Sequence, residues 1–273
     1  MVLDTGLGGT AFDWSHVQPA VASFTLVCSY DRAGMGYSDP GPKPRTSQQI
    51  VSELAALLDR SGVPGRVVLV GASIGGWNTR LFASTQARRV AGLVLVDARH
   101  ENQGEQLAAA GAPENPPAIA YVAPLVAYSG MARLLGIAPG LPAGSFTRDV
   151  RDYAQATRFR SSALATAASE LLNGTESAKQ VRSARRELDI PVVVVSAGRR
   201  SPGIQEVLSA LQRDQLTLSK RSCQVTAERS GHGIATAQPE IVIDAIRAAV
   251  EASRHATALP DCHAITQRAS TAP

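Results

Sequence analysis

The stretch Val67-Val68-Leu69-Val70-Gly71-Ala72-Ser73-Ile74-Gly75-Gly76 decides the fold of this 273-residue chain. Its first half is a run of β-branched and aliphatic residues, which is typical of a strand covered on both faces. The run stops at Gly71, and the residues from Trp77 to Ala87 can form a helix. We therefore predict a strand, a sharp turn and a helix, with Ser73 at the turn.

The glycines around Ser73 indicate what chemistry this turn supports. Side chains at Gly71 and Gly75 would clash with the neighbouring strand and helix, and the turn forces the serine into a strained backbone conformation. The hydroxyl would then stand exposed at a helix N-terminus, where free N–H groups favour an anion. This nucleophile-elbow pattern makes Ser73 the candidate nucleophile. The alternative is a phosphate-binding turn, but the sequence lacks the Lys-Ser/Thr of a P-loop and the G-x-G-x-x-G spacing.

The amino-acid composition and the net charge indicate which kinds of protein and partner to expect. The chain is 44% hydrophobic and 18% charged, which suits one globular domain with an inserted subdomain. The net charge of +4 is modest, and the arginines form only short pairs, so we expect neither a nucleic-acid nor a membrane partner. No Cys/His spacing resembles a zinc site, and we expect no metal or other cofactor. Because there is no leader and no long apolar segment, a cytoplasmic location is the default expectation.

Three cysteines, Cys28, Cys223 and Cys262, cannot all pair with one another. Cys28 and Cys223 fall in predicted strands. We therefore expect them to be small, buried apolar groups.

Apolar runs alternate with helical patterns along the chain. The predicted strands are 2–3, 24–29, 67–70, 91–96, 191–196 and 222–227. Continuous apolar strands of this kind predict an α/β fold with a mostly parallel, doubly wound sheet. Residues 1–103 and 188–254 would form the core, 104–187 a helical cap or lid insertion without strands, and 255–273 a loose, disordered tail.

Polar candidates follow several of these strands and can converge at one sheet edge, where ligands of such sheets bind. A serine nucleophile needs a base, and the base needs an orienting acid. His232 lies in a glycine-flanked loop after the last strand and is the preferred base, while His100, just after Asp97, is the rival. Along the chain the serine, the acid and the histidine follow one another as Ser73, Asp97 and His232, and some hydrolytic enzymes have their catalytic residues in this order.

Several motifs together resemble those of the α/β-hydrolase fold superfamily. They are Gly6 to Gly9, Tyr30 to Gly36 and Leu93 to Asp97, with a Ser-Gly-His loop and a Gln-Pro-Glu helix start. The resemblance covers roughly residues 2–251 and is strongest to bacterial, esterase-like serine hydrolases. It implies an enzyme of that fold that hydrolyses a carboxylic ester.

The resemblance also implies an oxyanion hole built from the backbone N–H groups of Leu7 and Ile74. Gly6, Ala72 and Trp77 would line the substrate site. Ala72 stands where relatives commonly have a histidine before the nucleophile, and Thr5 replaces the usual histidine before the glycine loop.

One departure from the superfamily concerns the acid, which usually follows the penultimate strand in a Gly-x-x-Asp pattern. Here that stretch reads Gly198-Arg199-Arg200-Ser201, and a serine cannot orient an imidazolium electrostatically. Some members place the acid one strand earlier, where this chain has Asp97. We therefore assign the acid to Asp97, with Glu101 and Glu206 in reserve.

A second departure is at the N-terminus, because relatives usually have two strands before the strand in which Met1 stands. Without them, the strand at 24–29 becomes an exposed edge that invites pairing with another chain. The chain is then a truncated, mis-started or compacted variant, and homo-oligomers through this edge are expected.

These expectations combine into one predicted function with two alternatives. We predict a serine hydrolase that cleaves a small acyl substrate through an acyl-enzyme. The same triad also serves acyltransferases, C–C hydrolases and hydroxynitrile lyases, and the fold does not choose among them. The alternative of another class is an inactive, ligand-binding hydrolase relative.

Overall fold

A computed structural model describes residues 1–63, 65–111 and 146–260, together with Cys262 and Ile265. Six strands in this part of the chain form one sheet: β1 (Val2–Asp4), β2 (Cys28–Ser29), β3 (Val67–Ala72), β4 (Val90–Val96), β5 (Val192–Ala197) and β6 (Ser222–Ala227). Their order is β2-β1-β3-β4-β5-β6, and every neighbouring pair is parallel. The predicted α/β class with a doubly wound parallel sheet is confirmed.

Helices cover both faces of this sheet. They are α1 (Gln18–Ala22), α2 (Ser47–Arg60), α3 (Gly75–Thr85), α4 (Gln103–Ala109), α5 (Arg148–Arg158), α6 (Ser161–Leu172), α7 (Gly174–Ala184), α8 (Pro202–Asp214), α9 (Ile234–Ala237) and α10 (Pro239–His255), with short 3-10 segments at Ala11–Trp14, Ala87–Arg89 and Gln215–Leu218. None of the helices among the described residues is long and apolar enough to cross a membrane.

Alternation along each central strand explains why the strand sequences are apolar throughout. Val70 and Val94 face one core cluster, which α10 completes, whereas Leu69 and Leu93 face the other, which α2 and α3 complete. Both faces are buried, so no polar residue is needed at alternate positions. The sheet edge at which the strands end is left to carry the polar side chains.

The described part of the segment 104–187 consists of helices joined by short turns and loops. The described residues include α5, α6 and α7 and no strand, as the sequence predicts. The proline-, glycine- and alanine-rich stretch from 112 to 144 lies outside the described residues. The division of the chain into a core, a cap and a tail remains a prediction.

The second strand differs from its prediction. Only Cys28 and Ser29 are extended in β2, and Leu26 is 79% exposed, so the expectation of a buried strand over 24–29 is wrong. The physical reason is position, because β2 lies at the sheet edge and, among the described residues, pairs only with β1. Pairing of this edge with a second chain remains a prediction.

The cysteines also differ from their prediction. Cys28 is exposed, and Cys223 forms a disulfide bond with Cys262, so neither is a buried apolar thiol. Beyond the disulfide, Ile265 is 3% exposed within the core cluster that α10 completes. Two described residues of the predicted tail, Cys262 and Ile265, therefore contact the core, and the tail as a whole remains a prediction.

Candidate active site

Ser73 occupies a sharp turn between β3 and α3. Its φ angle of +52° lies in the left-handed region, which is unusual for a residue with a side chain. The flanking glycines make the turn sterically feasible. A Cβ at Gly71 would lie 2.5 Å from the Gly75 carbonyl oxygen, and one at Gly75 would lie 2.7 Å from the Asp4 carbonyl oxygen. The clash predicted from the sequence is therefore found at both glycines.

Strand register brings Asp97 next to this turn. Ala72 pairs with Val96 at the ends of β3 and β4, so Ser73 and Asp97 are the next residues on two adjacent strands. The Ser73 N–H donates to the Val96 carbonyl oxygen at 3.2 Å, and the Ser73 carbonyl accepts from the Arg99 N–H at 2.9 Å. These two hydrogen bonds fix the Ser73 turn to the segment that carries Asp97.

The Asp97 carboxylate contacts the predicted base directly. Asp97 Oδ2 lies 2.6 Å from His232 Nδ1, while Oδ1 accepts from the Arg200 guanidinium and from the Ala197 N–H at 3.3 Å. The Asp97 side chain is 2% exposed. Burial raises the pKa of Asp97, but the His232 hydrogen bond and the charge of Arg200 outweigh this and lower the pKa below its ordinary value. Asp97 is therefore an ionised acceptor at neutral pH.

His232 reaches Asp97 from the loop after β6. That loop lies against the loop after β5, because the Arg199 N–H donates to the Ser230 carbonyl at 2.9 Å. The His232 side chain is 65% exposed. An Nδ1–H held by a carboxylate leaves Nε2 as the acceptor. In the described part of the chain, Ser73 Oγ makes no hydrogen bond to this ring.

Two backbone amides near Ser73 are candidates for binding an oxyanion. Among the described residues, neither the Leu7 N–H nor the Ile74 N–H donates to any acceptor. A Cβ on Gly6 would lie 3.3 Å from Ser73 Cβ and 3.8 Å from Ser73 Oγ, so the Gly6–Leu7 peptide lies beside the serine. Donors left open next to a nucleophile can stabilise a developing negative charge.

The remaining substrate-contact candidates have different surroundings. Ala72 is half-buried at the end of β3, next to Ser73. Trp77 is 4% exposed and packs in the core cluster with Leu81 and Phe82, with the Arg99 guanidinium 5.1 Å from its ring. Trp77 is therefore a core residue with little accessible surface, and its assignment to the substrate site remains a prediction.

The rival site residues are engaged elsewhere. His100 Nε2 lies 2.7 Å from Asp214 Oδ2, and the His100 side chain is 1% exposed. Glu101 forms a bidentate ion pair with Arg80 at 2.7 and 3.0 Å. Glu206 is exposed on α8. Of the three candidate acids, only Asp97 contacts His232.

Arg200 is the residue at this site that sequence reasoning missed. The sequence placed it where the superfamily has its acid pattern, and its guanidinium contacts the substitute acid from that same loop. A cation one residue before Ser201, the position at which the pattern lacks its acid, was the available signal. No cluster of three or more His, Cys, Asp or Glu side chains suited to a metal occurs within 1–63, 65–111 and 146–260.

Comparison with known proteins gives a consistent result. A sequence model of the alpha/beta hydrolase family matches residues 1–245. An AB hydrolase superfamily protein of Gibberella zeae is 24% identical over 93% of this chain and 86% of its own length. The matched regions span only 16% and 38% of two other relatives, uncharacterized proteins of Schizosaccharomyces pombe and Bacillus subtilis.

Solved structures share the fold. A thermophilic esterase from Thermogutta terrifontis superposes with a TM-score of 0.65 and 22% identity, covering 92% of this chain and 89% of that protein. The wild-type Cfl2 protein of Burkholderia cenocepacia has a TM-score of 0.65 and 23% identity, covering 90% of this chain and 86% of its own. At these identities, the likeness establishes the fold.

Proposed function

Because this chain belongs to the alpha/beta hydrolase family, we propose that it is a serine hydrolase with Ser73 as nucleophile, His232 as base and Asp97 as acid. Its substrate is a carboxylic ester or a related acyl compound. The observation that carries the proposal is the 2.6 Å hydrogen bond between Asp97 and His232, formed at the same sheet edge as the strained Ser73 turn. A base held by an acid at the sheet edge that carries a serine hydroxyl is the arrangement that nucleophilic catalysis requires.

The reaction follows from the roles of these atoms. His232 Nε2 takes the proton of Ser73 Oγ while that oxygen bonds to the substrate carbonyl carbon. The electron pair of the carbonyl moves onto its oxygen, which accepts hydrogen bonds from the Leu7 and Ile74 N–H groups. The carbonyl re-forms, the alcohol leaves with the proton from Nε2, and an acyl-enzyme remains. Water, activated by His232, releases the acid by the same steps.

The residue at the elbow favours acyl chemistry over the reactions of this fold that use an aspartate nucleophile. Epoxide hydrolases and haloalkane dehalogenases of the superfamily use an aspartate nucleophile, whereas the turn here presents Ser73. A serine ester intermediate is stable enough to form and labile enough to be hydrolysed. The proposed cap over 104–187 would then shape the acyl and alcohol pockets.

Hydrolysis of short- and long-chain p-nitrophenyl esters tests the proposal. Ser73→Ala should reduce turnover to the background rate, and Asp97→Asn should reduce kcat by about 10³ to 10⁴, because the imidazole loses its orienting charge. Ser84→Ala, which removes a buried hydroxyl from helix α3 directly after the Ser73 turn, is the matched control and should keep wild-type turnover. Near-normal turnover by folded Ser73→Ala would overturn the assignment.

A further inference from the structure

Arg32 is a buried cation outside the proposed triad. Its side chain is 0% exposed, and its guanidinium donates to two carboxylates. Nε and Nη2 bond Glu170 Oε1 and Oε2, both at 2.9 Å, and Nη1 bonds Asp4 Oδ1 at 2.7 Å. The remaining donors reach the backbone carbonyls of Thr5 at 2.8 Å and Gly6 at 2.7 Å.

The bond to the Gly6 carbonyl bears on the chemistry. That carbonyl shares one planar trans peptide with the Leu7 N–H, and the two groups point in opposite directions. Holding the Gly6 oxygen therefore fixes the direction of the Leu7 N–H. A cation on the oxygen also polarises the peptide and strengthens its N–H as a donor. This is the amide that lies beside Ser73 and has no acceptor among the described residues.

We propose that Arg32 is a positioning residue for the oxyanion hole and that Glu170 of α6 couples this hole to the proposed cap. The role rests on the proposed serine hydrolase function. Arg32 touches neither the nucleophile nor the base and acts through the Gly6–Leu7 peptide. The effect of removing it is therefore specific to the transition state, in which the carbonyl oxygen carries charge.

Helix α6 contacts the same loops at further points, so its coupling to the site is not limited to one ion pair. A Cβ at Gly8 would lie 3.7 Å from Ala167 Cβ, and one at Gly34 would meet Thr166 Oγ1 at 2.1 Å. The loop containing Gly8 and the loop containing Arg32 both lie against this helix. Displacement of α6 would remove the bidentate partner that fixes the guanidinium and so weaken the hold of Arg32 on the Gly6 oxygen, which also accepts from the Gly9 N–H at 3.2 Å.

Steady-state kinetics on a short p-nitrophenyl ester, with inhibition by a trifluoromethyl ketone of matching acyl length, tests this role. The ketone forms a tetrahedral adduct whose oxyanion reports on the hole. Arg32→Lys should lower kcat about tenfold or more and weaken ketone inhibition by a similar factor, with KM changed less than about twofold. Arg80→Lys is the matched control, since Arg80 is equally buried and bidentate to Glu101. It should lower thermal stability without changing the ratio of ketone affinity to KM.

Glu170→Gln provides a second variant in case Arg32→Lys does not fold. It should produce a smaller loss of the same kind, because one acceptor oxygen remains for Arg32. Unchanged kcat and ketone affinity in the folded variants would overturn the role, as would an equal change in the Arg80→Lys control. A wild-type protein that neither turns over esters nor reacts with a fluorophosphonate would instead overturn the proposed function, and this role with it.

Discussion

Ser73→Gly should make the protein more stable than Ser73→Ala, although both variants lose the nucleophile. The φ of +52° at Ser73 costs about 1–2 kcal/mol for a residue with a Cβ, and glycine does not incur this cost. The greater freedom of glycine in the unfolded chain offsets about 0.5–1 kcal/mol of the gain. The net difference is about 1 kcal/mol in favour of glycine.

Urea denaturation of the two variants at neutral pH measures this difference. Neither variant has the hydroxyl, so the comparison isolates the backbone. A difference of about 1 kcal/mol corresponds to roughly 2–4 °C in Tm for a chain of this size. The matched pair is Ser84→Gly and Ser84→Ala within helix α3, where glycine should be less stable by about 1 kcal/mol.

The expected stability difference between the glycine and alanine variants has opposite signs at Ser73 and at Ser84, so the comparison is decisive. If Ser73→Gly is no more stable than Ser73→Ala while the Ser84 pair behaves as a helix should, then Ser73 does not store backbone strain. The physical explanation for the glycines around the elbow would then be refuted.

Three further predictions concern stability. Glu101→Gln should lower the free energy of unfolding by about 3–5 kcal/mol, because Arg80 stays buried without its carboxylate; a variant as stable as the wild type in urea would contradict this. Burial raises the pKa of Glu101, but Arg80 holds the pKa well below its ordinary value. The stability that the ion pair contributes should therefore be lost as the pH falls below about 4. The Glu101→Gln variant should lose less stability over the same pH range, which urea titrations at successive pH values can measure. Reduction of the Cys223–Cys262 disulfide, with a sequence separation of 39, should cost about 4 kcal/mol; identical urea midpoints with and without dithiothreitol would count against it.

The sheet and the elbow could be predicted because their signals are local. Continuous apolar runs specify β3, β4 and β5, and the parallel order of the sheet places residues that follow strands at one edge. Ser73 and Asp97 become neighbours by register alone, since they follow paired residues of β3 and β4. The glycines at 71 and 75 indicate the turn because only a residue without a Cβ fits there.

Other features depend on where distant segments meet. The ion pairs of Arg200 with Asp97 and of Arg32 with Glu170 join residues 103 and 138 positions apart, and long flexible side chains give no periodic signal. The pairing of Cys223 required knowing where the chain returns after α10. The burial of Trp77, by contrast, can be predicted from the sequence, because Leu81 lies four residues later and shares its helix face.

The central claim is that Ser73 is the activated nucleophile of a triad with His232 and Asp97. Reaction of the folded protein with a fluorophosphonate, followed by peptide mass mapping, tests it most directly. We predict a single adduct on the peptide that contains Ser73, strongly slowed labelling in Asp97→Asn and no adduct in Ser73→Ala. A folded wild-type protein that remains unlabelled, or that is labelled at another residue, would contradict the claim.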